Sequence, residues 1–366
     1  MLKPIAYYHP IVFGCDPEFF FNNGERIIGA EKIIPKEGLH AGAGQGKIII
    51  DGVQAELNPR PSTCRELLAS SISDCFRTLY EKTKNDQTLK VIFDQTVQIT
   101  KEELDTLDAS SRQFGCSPSH NAHDKKAKIG IKDASKYMSR SAGGHIHIGK
   151  NTPTGTKADK IFKKTPERLV NMLDIIVGNT CVLLDRSEGN KKRRETYGRA
   201  GEYRLPTHGL EYRTLSNFWL KDYALMSFVM SMTRLAVSIV VTSTPKNNIE
   251  KEILSKIKIK DITKAINENN FALAQENFSK IQKILTEITQ PTKDKYGRKI
   301  QYENSPITEN TLELFNHFTK KGIDYWFKGN IIKNWIEYRS NKKIPMGWES
   351  FLQTVVKEDK LKETIN

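Results

Sequence analysis

No uninterrupted run of about 18 apolar residues stands out in this chain, so a membrane-spanning helix is not expected from it. The opening Met-Leu-Lys-Pro-Ile-Ala-Tyr-Tyr-His is too polar and too aromatic for a secretory leader, which leads us to expect a cytoplasmic protein. Cysteine is scarce: five residues, an odd number, with no Cys-x-x-Cys spacing. That argues against a disulfide framework and for reduced thiols, and Cys15, Cys64, Cys75 and Cys181 stand in apolar surroundings that suit small core residues. Zinc-finger spacing and the aromatic motif of RNA-binding sheets are missing too. So is a phosphate loop. In Gly42-Ala-Gly44-Gln-Gly46-Lys47 the required first glycine is Ala41 and the hydroxyl after the lysine is Ile48, which leaves a flexible loop ahead of a strand.

What is there is long enough, at 366 residues and 38% hydrophobic, to bury one large or two ordinary cores. The net charge of +14 favours anionic partners. Lysine and arginine are spread widely, however, so charge by itself does not choose between nucleic acid and a nucleotide.

The informative pattern is polar residues two apart. In Gly143-Gly-His145-Ile-His147-Ile the histidines alternate with isoleucines, so a strand would show both imidazoles on one face, roughly 7 Å apart at a rise of ~3.3 Å per residue, and hide the isoleucines behind. The glycine pair leaves room for close approach. A strand with two solvated histidines would read the same way. Asp16 with Glu18, Glu56 with Asn58, Glu202 with Arg204 and Glu211 with Arg213 repeat the spacing. A sheet face carrying all of these cannot be a hydrophobic core, because a buried charge is costly unless paired or bound to metal. It has to be a wet, ion-lined cavity. Carboxylates with histidines suit Mg2+ or Mn2+, and arginines suit phosphate or a substrate carboxylate.

In chain order, residues 11–21 read as a strand broken at Pro17, and Lys47 to Pro59 as a hairpin around Asp51-Gly52. A helix follows to about residue 83, then a strand at Leu89 to Phe93 and a short helix from Lys101. Cys116, His120 and His123 offer a candidate zinc cluster, but no obvious fourth ligand is near, and a loop at the cavity mouth is the plainer reading. Thr165 to Leu184 reads as a long helix. The charge run from Lys191 to Arg194 reads as a solvated loop, and Arg199 stands between glycines on the way into the strand of Arg204.

The ordered set Gly14-Cys-Asp16-Pro-Glu18, Asp51-Gly52, Glu56-Leu-Asn58-Pro59, Gly143-Gly-His145-Ile-His147, Tyr197-Gly-Arg199-Ala-Gly201, Tyr203-Arg204 and Glu211-Tyr-Arg213 resembles a phage-type carboxylate-amine ligase. This is the type 2 amidoligase group of the glutamine synthetase-like superfamily. The resemblance spans residues 14–213. It implies an α+β fold with a curved antiparallel sheet backed by helices, binding ATP and Mg2+ (or Mn2+) on its concave face. It also implies Asp16, Glu18, Glu56 and Glu211 as metal ligands, Asn58 at the bound nucleotide, and His145 and His147 at metal, ATP phosphates or substrate. Arg199, Arg204 and Arg213 would neutralise a transferred phosphoryl group. The implied reaction is ATP-dependent amide formation between a carboxylate and an amine through an acyl phosphate. The alternative is a non-catalytic protein of the same fold, holding nucleic acid or a virion partner on its basic surface.

Residues 1–245 would then form the catalytic domain and 246–366 a helical, lysine-rich region. Helices are expected from Lys221 to about Thr244, Asn269 to Thr289 and Glu309 to Lys320, the first apolar enough to lie on the catalytic sheet. Trp326, Trp335 and Trp348 read as core or interface anchors. The C-terminal region lacks arginine forks and clustered aromatics, so at most weak, salt-sensitive, sequence-independent nucleic-acid binding is expected there.

Overall fold

Pro17 divides the first extended run into strands that serve two different sheets. The structure, a computed structural model, describes residues 2–42, 44–109, 111–112, 119–124, 138–150, 156–293, 296–297, 299–300, 306–340 and 347–365. The strands that build the site are β1 (Ile11–Cys15), β2 (Glu18–Asn22), β3 (Gly46–Asp51), β4 (Gln54–Pro59), β5 (Ile146–Lys150), β6 (Glu202–Arg204) and β7 (Gly209–Tyr212). One sheet runs β1-β5-β7-β6 and ends on His120–Asn121; the other runs Ile27–Ile28, β2, β4, β3, Leu39–His40, with Lys90–Ile92 also pairing β2. Every pairing in both is antiparallel. The two sheets are stitched where they meet: the Glu18 N–H donates to the Gly143 carbonyl at 2.9 Å and the Leu57 N–H to the Pro17 carbonyl at 3.0 Å. Together they form a curled antiparallel half-barrel backed by helices, in a mixed α+β fold with a helical C-terminal region.

Strand alternation decides what faces what. Ile146, Ile148, Leu210, Tyr212, Phe13 and Cys15 are buried on the convex side, which the helices cover. Those helices include α1 (Arg65–Thr83) and α2 (Pro166–Leu173), which continues through a π turn (Asp174–Gly178) into Asn179–Val182. After α3 (Glu188–Thr196) comes α4 (Tyr223–Thr242). This last helix qualifies one sequence expectation without overturning it. At a mean hydropathy of 1.9 it is long and apolar enough to cross a membrane, yet it is wholly buried inside the protein and serves as a core helix. Its composition interrupts the apolar run with serines, a threonine and Arg234, which is why no continuous run is visible in the letters.

Two corrections come from burial. Cys64 is exposed at the start of α1, unlike the buried Cys15, Cys75 and Cys181. Residues 191–194 are not a solvated loop: they lie in α3, and Arg193 and Arg194 are buried. The expected helices near 223–242, 271–288 and 309–321 are present, and Ile249–Lys256, Ile259–Asn267 and Ile331–Ser340 add to them. Trp335 and Trp348 are buried and Trp326 is partly so. The Trp335 indole donates to the Leu220 carbonyl at 2.7 Å, which ties the C-terminal helices to the sheet's backing.

The π turn has a visible cause. It carries Asp174, fully buried, to a point where the Tyr212 hydroxyl donates to its Oδ1 at 2.7 Å and His123 Nε2 lies 2.6 Å from Oδ2. One carboxylate thus locks a helix, strand β7 and the 119–124 segment together. Replacing it removes a charged partner from a buried hydroxyl and a half-buried imidazole at once. We expect Asp174→Ala to lower stability by about 2–4 kcal/mol, read as a lower urea midpoint with an unchanged denaturant slope.

Candidate active site

Register places the polar pairs in two rows across the concave face. Gly14, His147, Glu211 and Arg204 stand opposite one another on neighbouring strands. One step further along the same face come Asp16, His145, Arg213 and Glu202. In the adjoining sheet Glu18 faces Glu56, and Asp51 faces Gln54, on the same concave side.

These rows bring most of the expected residues together in two groups. Asp16, His145 and Glu211 offer ligand atoms within 4.8 Å of one another, and so do Glu18, Asp51 and Glu56. His145 Nδ1 is 3.1 Å from Asp16 Oδ1 and 3.6 Å from Glu211 Oε1, while His147 Nε2 is 3.1 Å from Asp16 Oδ2. Close as they are, these atoms are not aligned as hydrogen bonds: Asp16 Oδ1, both nitrogens of His145 and His147 Nε2 are buried with no hydrogen-bond partner. Buried polar atoms without partners are rare, and a cation held with Glu211 would satisfy Asp16 Oδ1 and one ring nitrogen of His145. The two donor sets, nitrogen with oxygen in one and oxygen alone in the other, fit hard divalent cations such as Mg2+ or Mn2+.

Charge and burial agree with that reading. Burial, then the neighbouring Asp51, pushes Glu18 up to about 8. Burial and then Asp16 push Glu56 up to about 10, Asp51 to about 6 and Glu211 to about 8. Burial would raise Asp16 as well, but the flanking His145 and His147 outweigh it and hold Asp16 below the usual carboxylate range. Burial, with Arg213 beside it, lowers His145 to about 4, which keeps the imidazole neutral as a metal ligand must be.

The supports around these groups explain their aim. Glu18 Oε2 accepts from the Gly143 N–H at 2.7 Å, the Tyr197 hydroxyl at 3.0 Å and Gln54 Nε2 at 3.3 Å. With that oxygen saturated, Oε1 is the one left for the cluster. Asn58 Nδ2 donates to Glu56 Oε1 at 2.7 Å, so Asn58 orients an acid and also lines a cavity of about 480 Å3 beside His147. Gly144 is where close approach is needed: a Cβ there would lie 2.2 Å from the Ser216 carbonyl oxygen.

The arginines divide. Arg213, buried, and Arg204 both reach Glu211 Oε1, the latter at 3.1 Å. Arg199 is placed otherwise. Its Nε donates to the Arg194 carbonyl at 2.8 Å and its Nη2 to the Glu195 carbonyl at 3.2 Å, at the end of α3. Glu202 is also spent on backbone, accepting from the Gly198 and Arg199 N–H groups at 2.9 and 3.1 Å. Of the proposed zinc cluster, Cys116 lies outside the described residues, His123 is held by Asp174, and the His120 ring lies against Tyr203.

Several site residues escaped sequence reasoning. Asp51 was absorbed in the hairpin turn, although its position two residues from a strand carboxylate row was readable once the hairpin was drawn. His208, whose Nε2 is 3.0 Å from His147 Nδ1, sits in a turn with no periodic signal. Arg193 donates to the carbonyls of Thr214 and Arg213 at 3.0 and 2.9 Å and lies 4.5 Å from the centre of the Tyr197 ring. It therefore fixes both the strand end that carries Arg213 and the tyrosine that holds Glu18.

The curled antiparallel sheets thus gather paired acids, histidines and arginines on one concave face. Residues 124–293, a little under half of the chain, match the family described as phage phiEco32-like COOH.NH2 ligase-type 2. The matched segment holds His145, His147, Arg199, Arg204, Glu211 and Arg213, while Asp16, Glu18, Asp51 and Glu56 join them through the fold. No curated protein matches the chain. Among solved structures it is similar to one titled "Crystal structure of novel glutamine synthase homolog", at 10% identity and a TM-score of 0.33, over 74% of this chain and 67% of that one.

The raised acids set a pH dependence. In the folded, cation-free protein Glu18, Glu56, Glu211 and Asp51 hold protons more tightly than in the unfolded chain, so the stability they contribute is complete below about pH 4 and is lost as pH rises through about 6 to 10. We expect the cation-free melting temperature to fall between pH 5 and pH 8, and millimolar Mg2+ or Mn2+ to reverse most of that fall at pH 8. A scanning-calorimetry series with and without cation checks both.

Proposed function

We propose that the protein is an ATP-dependent carboxylate-amine ligase that forms an amide bond through an acyl phosphate, acting in the cytoplasm. The observation that carries the reading is the convergence of two acidic groups, two histidines and two arginines on one concave face, with most of those side chains buried. A binding protein gains nothing from keeping mutually repelling carboxylates out of water, whereas phosphoryl transfer needs that arrangement.

A carboxylate is a poor electrophile because it is anionic and would have to expel oxide. Transfer of the γ-phosphoryl of ATP to a carboxylate oxygen breaks the bond to the β-phosphate, releases ADP and gives an acyl phosphate. The amine nitrogen then attacks the acyl carbon, the carbon–oxygen bond to phosphate breaks, phosphate departs and the nitrogen loses a proton to a base. Divalent cations held by Asp16, His145 and Glu211 on one side and Glu18, Asp51 and Glu56 on the other would neutralise phosphate charge in both steps.

The protein's own groups do the rest. Arg213 and Arg204 flank Glu211 and face the space where the phosphoryl group would pass, so their charge answers the negative charge that gathers on it. His147, backed by Asp16 and His208, borders the 480 Å3 cavity formed with Val12, Gly14, Asn58, Pro59 and Gly149. Among the described residues its lining carries neither lysine nor arginine, which suits the base of the nucleotide, with the phosphates directed past His147 toward the acids. Residues 1–245 supply every group named here, which supports treating them as the catalytic part and 246–366 as its helical complement.

Two expectations test this. Glu56→Gln and Glu211→Gln should each weaken Mg2+-dependent ATP binding by about tenfold or more while leaving the circular dichroism spectrum intact; unchanged affinity in both variants, by calorimetry, would remove these acids from a metal site. Arg213→Ala should lower turnover by about 10²-fold or more and ATP affinity by much less, because its charge acts mainly where charge develops. The assay is ADP release by the purified protein with mixed carboxylates and amines, and equal losses in turnover and ATP binding would place Arg213 on ground-state ATP instead.

A further inference from the structure

Behind β1, on the side away from the histidines, lies a second cavity of about 320 Å3 that none of the chemistry above uses. Phe13 forms part of its wall, and along β1 that residue points opposite to Gly14, which lies against His147. Thr63, Cys64, Arg65 and the acidic Glu66 at the start of α1, Ser231 and Arg234 from α4, and His9 form the polar part of the lining.

Arg234 is the unusual member. It is 6% exposed, in a helix otherwise built of apolar and small hydroxyl residues. Its Nη1 donates to the carbonyls of Tyr8 and His9, both at 3.2 Å, and its Nη2 to the Thr63 carbonyl at 2.8 Å, with the guanidinium 4.8 Å from the centre of the Phe13 ring. All of these partners are neutral. Among the described residues no carboxylate lies within ion-pair distance of Arg234, and its Nε–H and second Nη2–H are not taken by them either. A buried guanidinium without a counter-ion is costly, and the cavity it lines is where one would sit. Arg65 lines the same space: Nη1 donates to the Ser231 hydroxyl at 3.2 Å, and Nε is 3.6 Å from Glu66 Oε1, an oxygen that also accepts from the Tyr223 hydroxyl. Glu66 is thus occupied at Arg65, leaving the charge of Arg234 unanswered.

We propose that this cavity is an anion site separate from the ligation centre, taking free phosphate or the terminal phosphate of a monoester. Two guanidinia on different helices offer donors from two sides, which matches the several acceptor oxygens of a tetrahedral dianion better than a planar carboxylate. Depth selects the terminal group. Arg234 is more than nine-tenths buried, so a phosphate at the end of a molecule reaches it and the diester backbone of a nucleic-acid duplex does not.

Cys64 gives a direct readout, because its exposed thiol lines the cavity while Cys15, Cys75 and Cys181 are buried. Alkylation of Cys64 by iodoacetamide is followed by peptide mass spectrometry on the full chain, in inorganic phosphate and in chloride of equal ionic strength and pH. Phosphate should slow alkylation saturably, by about tenfold at ten times its dissociation constant. The protection should persist in Arg213→Ala, altered at the ligation centre, and disappear in Arg65→Glu. Phosphoserine should protect as phosphate does, and a short DNA duplex with hydroxyl ends should not. The assignment is overturned by no protection at tens of millimolar phosphate, by protection that survives Arg65→Glu or is lost in Arg213→Ala, or by equal protection from the duplex. Should Arg65→Glu fail to fold, calorimetric titration of Arg213→Ala with phosphate decides: one saturable site supports the cavity, and none removes it. Loss of the anion site would leave the ligase reading untouched, since that stands on ADP release.

Discussion

Carboxylates brought together out of bulk water repel one another, and the repulsion strengthens as the surroundings dry. Asp16, Glu18, Asp51, Glu56 and Glu211 impose that condition on one wall of this protein, and the rest of the structure answers it. Two histidines flank Asp16, two arginines converge on Glu211, and one oxygen of Glu18 is saturated by three donors. None of these devices removes all the charge. The face therefore cannot close as a core would, and the sheet curls round a wet space suited to cations.

What keeps the wall from relaxing is the opposite face of the same strands. Ile146 and Ile148 alternate with His145 and His147, and Tyr212 lies between Glu211 and Arg213, so every polar group on the concave side is flanked in sequence by one locked into the convex core. Arg193 shows how far this goes. A fully buried cation serves two backbone carbonyls at the end of β7 and supports the Tyr197 ring, although it never reaches the concave face. Function here is held by residues whose own chemistry is structural, and a substitution behind the sheet should disturb the site as surely as one within it.

The sequence made the faces legible because a strand's period is two: the histidine pair, Glu211 with Arg213 and Glu56 with Asn58 all project as their spacing implies. The family resemblance then supplied what spacing could not, namely which faces belong to one cavity. Strand order stayed hidden, since nothing in the letters near Asp51 says that the hairpin will lie beside Glu18. The spacing also overcounted. Glu202 fits the pattern and is consumed by two backbone N–H groups, and Arg199, flanked by permissive residues, turns back onto the end of α3. Arg193 and Arg194 went unread for a related reason. Arginines in a charge run go to solvent unless particular carbonyls await them, and those carbonyls come from Arg213 and Thr214, just past β7, and from Ile266, 20 or more residues away.

Asp16 and Glu18 show why the break at Pro17 matters more than either acid alone. On an unbroken strand, side chains two apart would share one face at roughly 7 Å and could serve one metal together. Proline has no N–H to give a ladder, and the chain uses that gap to leave the first sheet after Cys15 and enter the second at Glu18. Asp16 then joins the histidines and Glu211, while Glu18 joins Asp51 and Glu56. A single dipeptide step thus distributes neighbouring acids between two groups of different chemistry, one with nitrogen donors and one with oxygen alone. The distance between those groups is set by backbone geometry rather than by flexible side chains, which is the kind of spacing that two-centre charge stabilisation demands.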